Sequence, residues 1–142
     1  MGTRSVTRIH DGDKNSPVLV AIYQQFDGYF ESVGQELVDF CKDMTIVNGI
    51  GAGQPARIAN GMGCFAAQLI AHLKTEKGVG GVYITSIDDE QEFNYDIYLT
   101  GERPNMFDET RTLVVEGKGY EESKILFGKV KKARKKSANK VV

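Results

Sequence analysis

Apolar and polar positions follow two periods along this chain, and each change of period marks an element. Residues 3–9 (TRSVTRI) alternate, with Thr3, Ser5, Thr7 and Ile9 on one side and Arg4, Val6 and Arg8 on the other. That is a strand's period, on a poor apolar face. HDGDKNSP at 10–17 is dense in turn residues. Residues 18–26 begin almost wholly apolar and predict a second strand, joined to the first as a hairpin with a longish loop. The period then becomes helical. Val33, Leu37, Phe40, Cys41 and Met44 share one face of a helix predicted over 32–43, where Ser32 and Gln35 fit a capping box.

Residues 45–60 (TIVNGIGAGQPARIAN) are rich in glycine and predict irregular chain. The clearest helical signal follows at 62–74. Met62, Phe65, Ala66, Leu69, Ile70 and Leu73 line one face, Lys74 and Lys77 suit its C-terminal dipole, and Gly78 suits its stop. Strands are predicted at 82–87, 93–99 and 110–116, joined by the polar links DDEQ, GERPNMFD and GKGYEES. ILF at 125–127 fits either a short strand or the start of a helix. The order ββααβββ clusters strands rather than alternating them with helices. It therefore predicts an α+β fold: an antiparallel sheet of about five strands with both helices on one face.

Charge divides the chain. Residues 129–140 (KVKKARKKSANK) hold seven of the 18 basic residues and no acid, so the remainder carries 11 basic and 19 acidic residues, a net of −8. A single α+β domain over 1–128 and a basic tail over 129–142 are expected, the tail suiting nucleic acid or another polyanion through Lys129, Lys131, Lys132, Arg134, Lys135 and Lys136. No aromatics are interleaved there, so the tail itself offers no base stacking. No apolar run suits a membrane span, and no secretory leader is evident. Two cysteines, Cys41 and Cys64, predict free thiols in a reducing, intracellular, cytoplasmic setting.

Candidate chemistry gathers at two places. YQQFDGYFESVG (23–34) puts Gln25, Asp27 and Tyr29 at a strand-to-helix corner, with Asp27-Gly28 suited to the turn. Alternation sends Gln24 and Gln25 to opposite faces of the strand, so at least one must avoid the core or be satisfied within it. The second place is Asn60, Gly61 and Gly63 at the start of the second helix. There small residues suit close packing on the sheet, and free N–H groups suit an anion. GMGCFA (61–66) has the spacing of a dinucleotide fingerprint, but no buried strand of a βαβ unit precedes it. Cys64 and His72 stand eight residues apart on one helix, too far for a dyad. Histidine and cysteine spacing suits no metal, and Asp88-Asp89-Glu90 reads as a solvated hairpin loop. No catalytic residue, cofactor or metal is assigned.

MGTRSVT (1–7), YQQFDGY (23–29), NGMG (60–63) with AAQLIA (66–71), and GGVY (80–83) together resemble an uncharacterised family of small proteins of bacteria, bacteriophages and large DNA viruses. Its members open with G-T-R-S-x-T and carry Y-x-Q-x-D-G-Y. A proline often follows that motif, where this chain has Phe30. The resemblance spans residues 2–99. It implies no activity, cofactor or catalytic residue, and it leaves the basic tail outside.

These readings predict first a non-enzymatic, intracellular binding protein of viral type. Its ligand surface joins Arg4, Gln25, Asp27, Tyr29, Asn60, Gly61 and Gly63, and its tail contacts nucleic acid. In a virus or eukaryote, that places it in the nucleus or virion. The alternatives are a small-ligand or nucleotide binder or hydrolase using the same residues, and a self-assembling subunit that pairs through an exposed sheet edge.

Overall fold

The computed structural model describes residues 2–47, 57–77, 80–100 and 112–128. The tail at 129–142 and the glycine segment at 49–53 lie outside the described residues. In chain order the elements are β1 (Ser5–His10), β2 (Val18–Gln24), a π-helical turn (Phe30–Gly34) leading into α1 (Gln35–Cys41), β3 (Thr45–Val47), β4 (Ile58–Asn60), α2 (Gly61–Lys77), β5 (Val82–Thr85), β6 (Phe93–Thr100), β7 (Thr112–Lys118) and β8 (Ser123–Phe127). The fold is α+β, with a six-stranded sheet in the order β5-β2-β1-β6-β7-β8 and a small sheet of β3 and β4.

The structure decides one point that the sequence left open and departs from it at two others. The ILF stretch is strand: it lies in β8, which pairs with β7 and becomes one edge of the sheet. Within the 45–60 segment, β3 and β4 pair in parallel. The first helix also starts earlier than the capping box implies. Phe30 is buried edge-on against Phe93 at 5.1 Å, and the turn it opens is anchored by the Ser32 amide on the Tyr29 carbonyl rather than by a side-chain cap.

The largest difference is topological. β1 pairs antiparallel with β2 but parallel with β6, Ser5 lying opposite both Gln24 and Phe93. β5 is not the hairpin partner of β6. It sits outside β2, at the other edge. Because β5 and β6 run in the same direction, the chain must return across β2 and β1 to enter β6, and residues 86–92 make that crossing. The DDEQ link is therefore a crossover laid on the sheet, not a solvated hairpin loop. Arg8 holds it down: its Nε donates to the Ile87 carbonyl at 2.8 Å, and its guanidinium also reaches the Asp89 carbonyl and Asn94 Oδ1.

The two faces of the sheet differ accordingly. The helix-covered face carries Ile9, Ile22, Tyr95, Ile97, Leu99, Leu113 and Val115, packed with Leu37 and Phe40 of α1 and Phe65, Leu69 and Leu73 of α2. The opposite face carries Arg8, Asp96 and Glu116 together with Tyr23, Tyr83 and Tyr98, although Val6 and Ala21 are wholly buried there. No helix among the described residues is long and apolar enough to cross a membrane.

At the corner after β2, the Gly28 amide donates to the Thr3 carbonyl at 2.9 Å and the Val33 amide to the Asp27 carbonyl at 3.2 Å. Asp27 adopts φ 56°, the left-handed region that Asp tolerates better than most residues. A Cβ on Gly28 would stand 2.8 Å from the Ser5 Cβ, so the close approach requires glycine. The Tyr95 hydroxyl donates to the Gly28 carbonyl at 2.6 Å, and burial pushes that phenol well above its usual range. Asp27-Gly28 thus does the work of a turn.

The two glutamines part as strand alternation requires. Gln25 is half-buried, and its amide donates to the Gly81 carbonyl. Gln24 enters the core face at 1% exposure opposite Ser5, and neither its Nε2 nor its Oε1 has a partner among the described residues. The buried Ser5 and Thr7 hydroxyls beside it are likewise unpartnered. Desolvating an amide without a hydrogen bond costs about 1–3 kcal/mol. Gln24→Met keeps length and volume while removing both polar atoms, so it is expected to stabilise the fold by about 1 kcal/mol in thermal or urea unfolding. A loss of stability of that size would show that the amide is satisfied in solution.

Candidate anion-binding cleft

The crossover leaves part of the second face open between itself and β5. A cleft of about 310 Å³ lies there, lined by Arg4, Tyr23, Tyr83, Ile84, Thr85, Asp89 and Gln91. Strand register builds it. Tyr23 on β2 lies directly opposite Tyr83 on β5, and their rings stand 6.1 Å apart at 38°. Arg4, just before β1, is exposed. Its amide bonds Glu92 Oε1 at 3.0 Å and its carbonyl accepts from the Phe93 amide, which fixes its backbone to the end of the crossover.

The charges in the cleft are unequally committed. Both Asp89 carboxylate oxygens are taken, one by Thr85 Oγ1 and one by Gln91 Nε2, each at 2.8 Å. Arg8 is spent on the crossover, and Arg57 donates to the Phe40 carbonyl at 3.0 Å while covering that ring. The Arg4 guanidinium makes no hydrogen bond or ion pair among the described residues. Lys74 adds positive charge at the rim. Its Nζ donates to the Val82 carbonyl at 2.8 Å and stands 5.3 Å from the Tyr83 ring centroid. An available guanidinium beside two phenol rings suits a phosphate oxygen pair next to a planar group.

The sequence-derived ligand residues do not all meet here. Arg4 lines the cleft. Gln25, exposed Asp27 and half-exposed Tyr29 stay at the adjoining corner, tied to the Arg4 strand through Thr3 and Gly28. Asn60, Gly61 and Gly63 lie at the opposite end of α2. Lys74 marks the helix end near β5, and about 20 Å of helix separates it from Gly61. Gly61 takes φ +81°, and a Cβ on Gly61 or Gly63 would meet nothing within 4 Å. Close packing therefore does not explain either glycine, and only Gly61 is required by its backbone. Tyr23, Tyr83 and Gln91 were missed in the sequence reading. Tyr23 and Tyr83 fall within the family-like segments, but their pairing needed the β2–β5 register.

A larger groove of about 770 Å³ lies in the helix layer, lined by Glu31, Ser32, Gln35, Glu36, Asp39, Phe40, Arg57 and His72. Its carboxylates, Glu31, Glu36 and Asp39, line a different cavity from the one that holds Arg4. His72 stacks near Phe40 at 5.1 Å, while Gln68 reaches Cys64 Sγ at 3.3 Å. Cys64 and His72 thus have separate partners. Burial pushes the Cys41 thiol up to about 12, which keeps it protonated.

On the same face as the cleft, His10 bridges three segments. Its Nε2 meets Asp96 Oδ1 at 2.7 Å and its Nδ1 the Ser16 carbonyl at 3.3 Å, so an imidazolium would donate to both. The Asp96 hydrogen bond raises its pKa; burial and Arg8 oppose this, and the Ser16 carbonyl assists. Tyr98 packs edge-on at 6.0 Å and donates to Glu116, which also binds Lys14. Unfolded, histidine titrates near about 6.5. With the folded value higher, its stabilisation is complete below that pH and lost as pH rises through the folded value. The unfolding midpoint of the native chain should exceed that of His10→Gln most at mildly acidic pH, and the gap should close as pH rises past neutrality. A gap that widens with pH would contradict the ion pair.

Compared with protein-family models, curated proteins and solved structures, the chain finds no match.

Proposed function

We propose that this chain is a non-enzymatic, intracellular binding protein for polyanions, with single-stranded nucleic acid as the favoured ligand. The carrying observation is the uncommitted Arg4 guanidinium beside the Tyr23–Tyr83 pair. Single strands are held without sequence preference by cationic grooves combined with aromatic platforms, and this cleft has both components. Tyr83 is 48% exposed and Phe26, next to Gly81, 57%, so aromatic surface is available to bases. The tail supplies what the cleft lacks: seven basic residues within 12 positions, free of acids.

Fluorescence anisotropy with a labelled oligo-dT, titrated at several salt concentrations, tests the proposal. The full chain should bind with a steep inverse dependence on salt. Removing 129–142 should lower the slope by up to about 5, from about 0.7 per phosphate contact across seven charges. Tyr83→Ala and Arg4→Gln should each weaken binding about tenfold, with Tyr83→Ala leaving the salt slope unchanged. Binding unaltered by both the deletion and Tyr83→Ala would refute the proposal.

A further inference from the structure

The two edges of the main sheet are unlike. β8 joins β7 through a register shift between Val115 and Glu116 and carries Lys124. A bulge and an edge lysine are both devices that discourage pairing with another strand. β5 has neither. It joins β2 without a shift, and its sequence VYIT contains no charge and no proline. Of the eight exposed large hydrophobics among the described residues, Tyr83 and Ile84 belong to β5, Ile87 follows it, and Phe26 stands by Gly81 at its start. Ile84 is 60% exposed although it lies beside the wholly buried Ile22.

Backbone direction sharpens the contrast. The Gln25 amide bonds the Gly81 carbonyl, so alternation turns Gly81, Tyr83 and Thr85 toward β2 and turns Val82 and Ile84 outward. Lys74 takes the Val82 carbonyl. The Ile84 N–H and C=O then face away from the sheet at the middle of the most apolar stretch of edge.

We propose that β5 pairs antiparallel with β5 of a second copy, about a two-fold axis at Ile84. Such an isologous contact sets each residue against its own chain's counterparts, so a strand suits it only where no like charges meet. VYIT meets that condition. Ile84 would face Ile84 across the axis and exchange both backbone hydrogen bonds, while Tyr83 would lie beside Thr85. The result is one continuous sheet of twelve strands, twice the six of each copy. Both Arg4 clefts would then lie on the same face, one on each side of the seam. A linear polyanion long enough to reach both would bind by avidity as well as by contact.

Sedimentation of the full chain without nucleic acid, from about 1 to about 200 µM, tests the pairing separately from polyanion binding. The native chain should shift from monomer to dimer with concentration, and Ile84→Lys should remain monomeric with an unchanged circular dichroism spectrum. Hydrogen exchange gives a second reading on the native chain: the Ile84 amide should gain protection as concentration rises. A native chain that stays monomeric, an Ile84→Lys variant that still dimerises, or an Ile84 amide whose exchange ignores concentration would each overturn the proposal.

Discussion

Arg8 reaches across the second face of the sheet to hold the 86–92 crossover by two of its backbone carbonyls. Much of the architecture depends on that grip. Parallel strands in one sheet usually need a long connection, commonly a helix, to return the chain to its starting end. Here seven residues make the return from β5 to β6, lying flat over β2 and β1. A bare peptide crossing a sheet would leave its own carbonyls unsatisfied, and a guanidinium with several donors on one rigid plane answers several at once. Hydrogen bonds from a charged donor contribute about 1.5–3 kcal/mol each, enough to order a short segment. Asn94 continues the arrangement, bonding both Gln91 and Arg8.

The crossover also separates two kinds of surface. On the helix side, aromatic and aliphatic residues from every main-sheet strand except the β5 middle converge on α1 and α2. On the other side, it walls off the cleft holding Arg4 and the tyrosine pair, and it turns Asp89 inward onto Thr85 and Gln91. An acid so occupied competes weakly for a nearby guanidinium. The segment that completes the topology thereby leaves one positive charge available, and the cleft's character follows from the fold's connectivity.

Much of the secondary structure was legible because local periods were strong: the Met62-to-Leu73 stripe marks α2, and the alternation from Phe93 to Leu99 marks β6. Long-range pairing was not legible. Nothing local in DDEQ distinguishes a hairpin loop from a crossover, since both are polar; the distinguishing signal was Arg8, seventy-nine residues away from Ile87. Ser32 and Gln35 match a cap in spacing, yet burial of Phe30 decides where the helical turn begins. The site was half legible for the same reason. Arg4 and the 25–29 corner are neighbours through β1 and β2, which the hairpin pattern implied, whereas Asn60 to Gly63 are carried to the far end of a helix whose direction over the sheet no local pattern specifies.

The parallel pairing of β1 with β6 has a consequence for how the chain is made. β1 is an interior strand, and 82 residues lie between His10 and Phe93. At about 5–20 residues per second of synthesis, β1 must wait about 4–16 s for its second neighbour. During that interval the β1–β2 hairpin has an open edge along Val6 to Ile9, and the apolar stripes of both helices have only half a sheet beneath them. Contacts of such sequence separation also slow folding once the chain is free. Ser5, Thr7 and Arg8, which make β1 a weakly apolar strand, leave that waiting edge more soluble than a run of valine and isoleucine would be.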